Sequence, residues 1–127
     1  MVTLLPACLE LGGKNPMVVT PSAELDLAVE AALFSGFGTA SQRCTSLGTV
    51  IVHDSVHDDF VAQFDKATRQ AAVGDPFGDV VFGPMLDEKF AERFGDYLEW
   101  IQPHHSVLGS TATGRIRAAS SREGLRR

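Results

Sequence analysis

Met17-Val18-Val19 is a short unbroken apolar run behind the turn-rich stretch Leu11-Gly12-Gly13-Lys14-Asn15-Pro16, and this pairing predicts a buried strand entered from a turn. A second strand is expected before the turn. Beyond Ser22 the period lengthens, with Leu25, Ala28, Val29, Ala32, Leu33 and Gly36 recurring at helical spacing. Ser22 is the expected helix cap, Glu24 and Asp26 suit the positive end of the helix dipole, and the helix is expected to run to about Phe37. Gly36 to Ser46 breaks the pattern, and Leu47 to His53, with Thr49-Val50-Ile51-Val52 at its centre, predicts the next strand. Ser55-Val56-His57-Asp58 has the form of a capping box, and Val56, Phe60, Phe64, Ala67 and Ala71 then share one helix face as far as Gly74. A further amphipathic helix is expected from Asp87, with the stripe Phe90, Phe94, Tyr97, Leu98 and Ile101 and a stop at Pro103; Val107-Leu108 opens another short strand.

Strands separated by helices of this length make β-α-β units, so the fold class is α/β with a mainly parallel sheet. Parallel strands are usually covered on both faces, and two or three of them cannot close off their own edges. The pattern is therefore that of part of a larger parallel-sheet domain. With 127 residues, 44% of them apolar, the chain can nonetheless build a core.

Charge divides the chain into two parts. Residues 1–102 hold six Lys and Arg against fifteen Asp and Glu, while residues 103–127 hold five Arg against one Glu and no Phe, Tyr or Trp. Residues 1–102 are expected to form the domain portion, and 103–127 to be a poorly ordered or truncated C-terminal segment. A net charge of -5 offers no basic footprint for nucleic acid, and no apolar run approaches the roughly 20 residues of a membrane span. A small-molecule partner fits better. Two cysteines, Cys8 and Cys44, with no secretory leader at Met1 to Pro6, point to a reducing, cytoplasmic setting. His53, His57, His104 and His105 lack companions at ligand spacing, so no metal site is expected.

Two residues could carry chemistry. Cys44 lies on the connection entering the second strand, where turn N–H groups and the neighbouring Arg43 could favour a thiolate; the plainer alternative is a small buried apolar residue. Glu10, between Leu9 and Leu11 at a strand end, would become a better proton acceptor on partial burial, and the alternative is a carboxylate paired with Lys14 or Arg43.

Leu9-Glu10-Leu11-Gly12-Gly13-Lys14-Asn15-Pro16 resembles, at every position, the glutamate motif of the aldehyde dehydrogenase superfamily, and Gln42-Arg43-Cys44-Thr45-Ser46 resembles its cysteine motif. Glu10 and Cys44 stand 34 residues apart, the separation usual in that family. Leu25 to Val29, Val50 to His53, Asp58 to Phe60, Val73 to Pro76 and Gly83-Pro84-Met85 extend the similarity through Ile101 and, more weakly, to about Gly114.

The resemblance implies part of the parallel-sheet catalytic domain and oxidation of an aldehyde to a carboxylic acid with NAD or NADP. It makes Cys44 the nucleophile that passes through a thiohemiacetal and a thioester, with its backbone N–H as half of the oxyanion hole. Glu10 would activate the hydrolytic water, and Leu11 and Gly12 would lie against the nicotinamide. Lys14 and Asn15 would shape the turn, and Thr45 and Ser46 would support the cysteine loop by local hydrogen bonds. Full-length members are expected to be homo-oligomers. Family members are several times longer, with the dinucleotide-binding domain upstream, so the isolated chain is expected to be inactive. The family has Gly where Ser41 stands; a positive φ there would carry a cost of about 1 kcal/mol. The alternative from another class is a non-catalytic remnant or interaction module of the same fold.

Overall fold

The computed structural model describes residues 11–104. Two strands form a parallel sheet: β1 (Asn15–Val19) and β2 (Leu47–Val52). The helix α1 (Leu25–Phe37) connects them, giving the expected β-α-β unit. After β2 come α2 (Asp54–Gln70) and α3 (Glu88–Leu98). Glu10, Cys8, the strand expected before the turn, His105 and the expected strand at Val107-Leu108 lie outside the described residues, as does nearly all of 103–127.

Alternation along the strands decides which residues enter the core. Met17 and Val19 of β1 and Val50 and Val52 of β2 face the helices, where Val29 and Ala32 of α1 and Phe60 of α2 complete the buried cluster. Phe60 and Phe64 stack at a centroid distance of 5.7 Å, and Phe64 meets Phe37 at 6.4 Å, so aromatic contacts join α2 to the C-terminal end of α1. The helical stripe read from Val56, Phe60, Phe64 and Ala67 is the packed face of α2. On the opposite side of the sheet Val18 and Ile51 are exposed at 65% and 54%, so the described residues cover only one face of this parallel sheet.

Both expected serine caps are corrected. Thr20 to Ala23 forms a turn closed by Ala23 N–H on Thr20 C=O at 3.0 Å, with the Ser22 and Thr20 hydroxyls 3.2 Å apart. The turn postpones helical geometry, so Glu24 becomes the N-cap residue of α1. At α2 the cap is His53, whose Nδ1 accepts from Ser55 N–H at 3.2 Å while its own N–H donates to Val19 C=O at 3.0 Å. His53 thus ends the sheet and starts the helix at once, leaving Ser55 inside the first turn. The helix also stops before Gly74: after Gln70 the backbone becomes extended, and Val73 bridges Phe82 in parallel, with Val81 N–H on Ala72 C=O at 2.8 Å. Asp87, where this helix was expected to begin, caps α3 by accepting Phe90 N–H at 3.2 Å. Among the described residues, no helix is long and apolar enough to cross a membrane, and no group of His, Cys, Asp or Glu could hold a metal ion.

Candidate active site

The C-terminal end of α1 leads into the cysteine loop through two residues with positive φ, Ala40 at 49° and Ser41 at 58°. Left-handed backbone costs an L-residue with a Cβ of order 1 kcal/mol. Ser41 offsets part of that cost because its hydroxyl donates to the C=O of Gly36, a helix-end carbonyl otherwise short of a partner. Gln42 N–H donates to Thr39 C=O at 3.0 Å, and its Oε1 accepts Leu86 N–H at 3.1 Å, tying the loop to the segment before α3.

Cys44 follows as an exposed free thiol, which excludes the buried-core reading of this residue. It sits at the second position of a turn closed by Ser46 N–H donating to Arg43 C=O at 3.2 Å. Among the described residues no acceptor meets the Cys44 N–H. The Arg43 guanidinium lies 5.5 Å from the centroid of the Phe34 ring, so its charge is engaged with an aromatic face of α1.

Asn15, the first residue of β1, reaches this loop. Its Nδ2 donates to Cys44 C=O and to Ser46 C=O, both at 2.9 Å. Two carbonyl oxygens around one atom require nitrogen there, because an amide oxygen would be repelled by both. The segment expected to be a self-contained turn is therefore hydrogen-bonded to residues 29 and 31 positions away. Sequence reading gave Asn15 a purely local role; the signal available was a lone amide placed immediately before a proline at the start of a strand.

Ser46 supports the loop through its backbone. The residue is only 6% exposed, and its Oγ has no hydrogen-bond partner among the described residues, contrary to the expected local bond. Lys14, Arg43 and Ser46 border a cleft of about 500 Å³ beneath the loop, together with Gly36, Phe37 and Phe64.

Leu11 is 72% exposed, and a Cβ built on Gly12 would meet nothing within 4 Å. The absence of a side chain at Gly12 thus answers no crowding from the described residues. Glu10, directly before them, falls outside the described residues, so its distance to Cys44 is not part of this geometry.

The model of the aldehyde dehydrogenase family matches residues 2–123. Salicylaldehyde dehydrogenase of Pseudomonas sp. strain C18 is 42% identical over 116 residues, which cover 88% of this chain and 24% of that protein. Alpha-aminoadipic semialdehyde dehydrogenase of Bos taurus is 40% identical over 87 residues, covering 68% of this chain and 16% of that protein. Among solved structures, salicylaldehyde dehydrogenase from Pseudomonas putida G7, complexed with salicylaldehyde, superposes with a TM-score of 0.65 at 39% identity over 72% of this chain and 19% of that one. Betaine aldehyde dehydrogenase from Staphylococcus aureus, in complex with NAD+, gives 0.68 at 30% identity over 71% and 18%. The chain spans about a quarter or less of the length of these relatives. A family match over nearly the whole chain, with solved aldehyde dehydrogenases superposing on it, settles its membership: the chain belongs to the aldehyde dehydrogenase family.

Proposed function

We propose that this chain carries the nucleophile and the hydrolytic base of an NAD(P)-dependent oxidation of an aldehyde to a carboxylic acid. The observation that carries the reading is the exposed Cys44 thiol on a hydrogen-bonded turn, with its N–H open among the described residues and with its loop tied directly to the glutamate motif by Asn15. An exposed thiol can meet a substrate, and a fixed N–H beside it can receive the charge that forms on the carbonyl oxygen.

Cys44 Sγ adds to the aldehyde carbon, giving a thiohemiacetal whose oxygen is stabilised by the Cys44 N–H. Leu11 and Gly12, both exposed, would hold a nicotinamide, which would supply the acceptor for the hydride that leaves that carbon. Cys44 then holds the acyl group as a thioester. Glu10 takes a proton from water, the hydroxide attacks the acyl carbon, and the C–S bond breaks to return the thiol and release the acid. Aldehyde and water become acid, two electrons leave with the hydride, and one proton is released. The relatives' names span salicylaldehyde and alpha-aminoadipic semialdehyde, so an aldehyde is the substrate class proposed here.

Acylation of the thiol by an activated ester, p-nitrophenyl acetate, tests the reading without cofactor. Cys44 is expected to carry the acetyl group, located by peptide mass mapping that separates it from Cys8, and Cys44→Ser to lose it. Glu10→Gln should still acylate but release acetate about 100-fold more slowly, the usual size of a general-base contribution. Equal acetylation of Cys8 and Cys44, or unchanged release in Glu10→Gln, would favour a non-catalytic module instead. Reduction of NAD(P) by aldehydes with these 127 residues alone is expected to be close to nil.

A further inference from the structure

We propose that Asn15 is a positioning residue that aims the Cys44 N–H at the oxygen of the reacting carbonyl. The inference rests on the reading of Cys44 as nucleophile and adds a residue to it.

A trans peptide holds the Cys44 N–H opposite to the Arg43 carbonyl. That carbonyl is drawn into the turn by Ser46 N–H at 3.2 Å, so the Cys44 N–H points out of it. One hydrogen bond leaves a four-residue turn free to roll as a unit about its ends. Asn15 removes that freedom: its amide grips the carbonyls of Cys44 and Ser46 at once, on the side of the turn remote from the Arg43 carbonyl in sequence. The anchor is itself rigid, because Asn15 begins β1 and is registered against Leu47, the residue after Ser46. The strap therefore spans from the sheet to the nucleophile and fixes the orientation of the turn, not merely its existence. It also fastens the two motifs together, since Asn15 lies five residues beyond Glu10 on the same segment.

A positioning role separates two reactions of one thiol. Acylation by p-nitrophenyl acetate builds charge on an oxygen and needs the aimed N–H; alkylation by iodoacetamide displaces iodide at carbon and builds none. In Asn15→Leu, similar in size and without donors, acylation of Cys44 is expected to fall about tenfold or more while alkylation changes less than about twofold. Asn15→Gln, which retains an amide, should recover part of the loss. If both reactions fall together the residue is simply structural, and if neither falls the strap has no role; either result overturns the proposal. Failure of the unaltered chain to acylate at Cys44 would instead defeat the nucleophile reading, and this inference with it.

Should Asn15→Leu fail to fold, the unaltered chain still decides the matter, because Asn15 is its single asparagine. With 15N-labelled asparagine one side-chain NH2 pair is visible, and both protons are expected to exchange with solvent at least about tenfold more slowly than a free amide. Exchange at the free rate would overturn the proposal.

Discussion

Ser41 occupies left-handed backbone at φ 58° while its hydroxyl donates to the Gly36 carbonyl, so two effects of opposite sign meet at one residue. The conformation costs about 1–2 kcal/mol and the hydrogen bond returns about 1 kcal/mol. Ser41→Ala keeps the cost and loses the return, and is expected to destabilise by about 1 kcal/mol. Ser41→Gly loses both and should fall within about 0.5 kcal/mol of the parent. Urea midpoints order the three chains, and a Gly variant as weak as the Ala variant would refute the account. At this scale the sequence yields residue types but not their partners. Ser41 is visible in the sequence, and its compensating carbonyl, five positions back, is not. The same holds for Asn15, whose two acceptors lie 29 and 31 residues away and leave no trace in any local pattern. Cys44 was legible as a motif, whereas its exposure was open until the fold placed it.

Strand and helix positions were legible because burial imposes a period, and the packed face of α2 follows that period closely. Ends were less so. Ser22 and Ser55 have capping chemistry, yet the Thr20 turn and the extension of the ladder to His53 fix where helical geometry begins. Register was beyond reading too. Asn15 faces Leu47 and Pro16 faces Thr49, so Gly48 is skipped where Pro16 has no N–H to give the ladder. A Cβ on Gly48 would lie 3.0 Å from Lys14 Cα, closer than backbone atoms can yield without moving. Gly48→Val is therefore expected to cost about 1–3 kcal/mol, the range for forced overpacking. Because Lys14 precedes Asn15, the same variant should also slow acylation of Cys44. Thermal melts by circular dichroism measure the first effect, and a melt unchanged from the parent would show that the strands have room to separate.

On the scale of the molecule, the α/β reading anticipated parallel strands with uncovered edges, and the described residues cover only one face of the two-stranded sheet. Val18 and Ile51 stand open on the bare side, and α3 repeats the situation in helical form. Its stripe of Phe90, Phe94, Tyr97, Leu98 and Ile101 was expected to run to Pro103, but the helix ends at Leu98, with Phe94 41% and Leu98 46% exposed, and it buries no residue. Tyr97 of the stripe meets Trp100, just past the helix end, edge to face at 5.1 Å. An 11-residue helix is marginal in water without tertiary support. The β1, α1, β2 and α2 body should consequently unfold as one cooperative unit around Val19, Ala32 and Phe60, with α3 lost at lower temperature. Replacing Phe94 and Leu98 by Gln removes apolar surface from α3 while touching none of that core. The main transition is expected to stay within about 0.5 kcal/mol, as for surface changes generally, and binding of a hydrophobic dye to fall. A main transition lowered by more than about 2 kcal/mol would mean that α3 is packed on the core after all, since losses of that size require buried contacts.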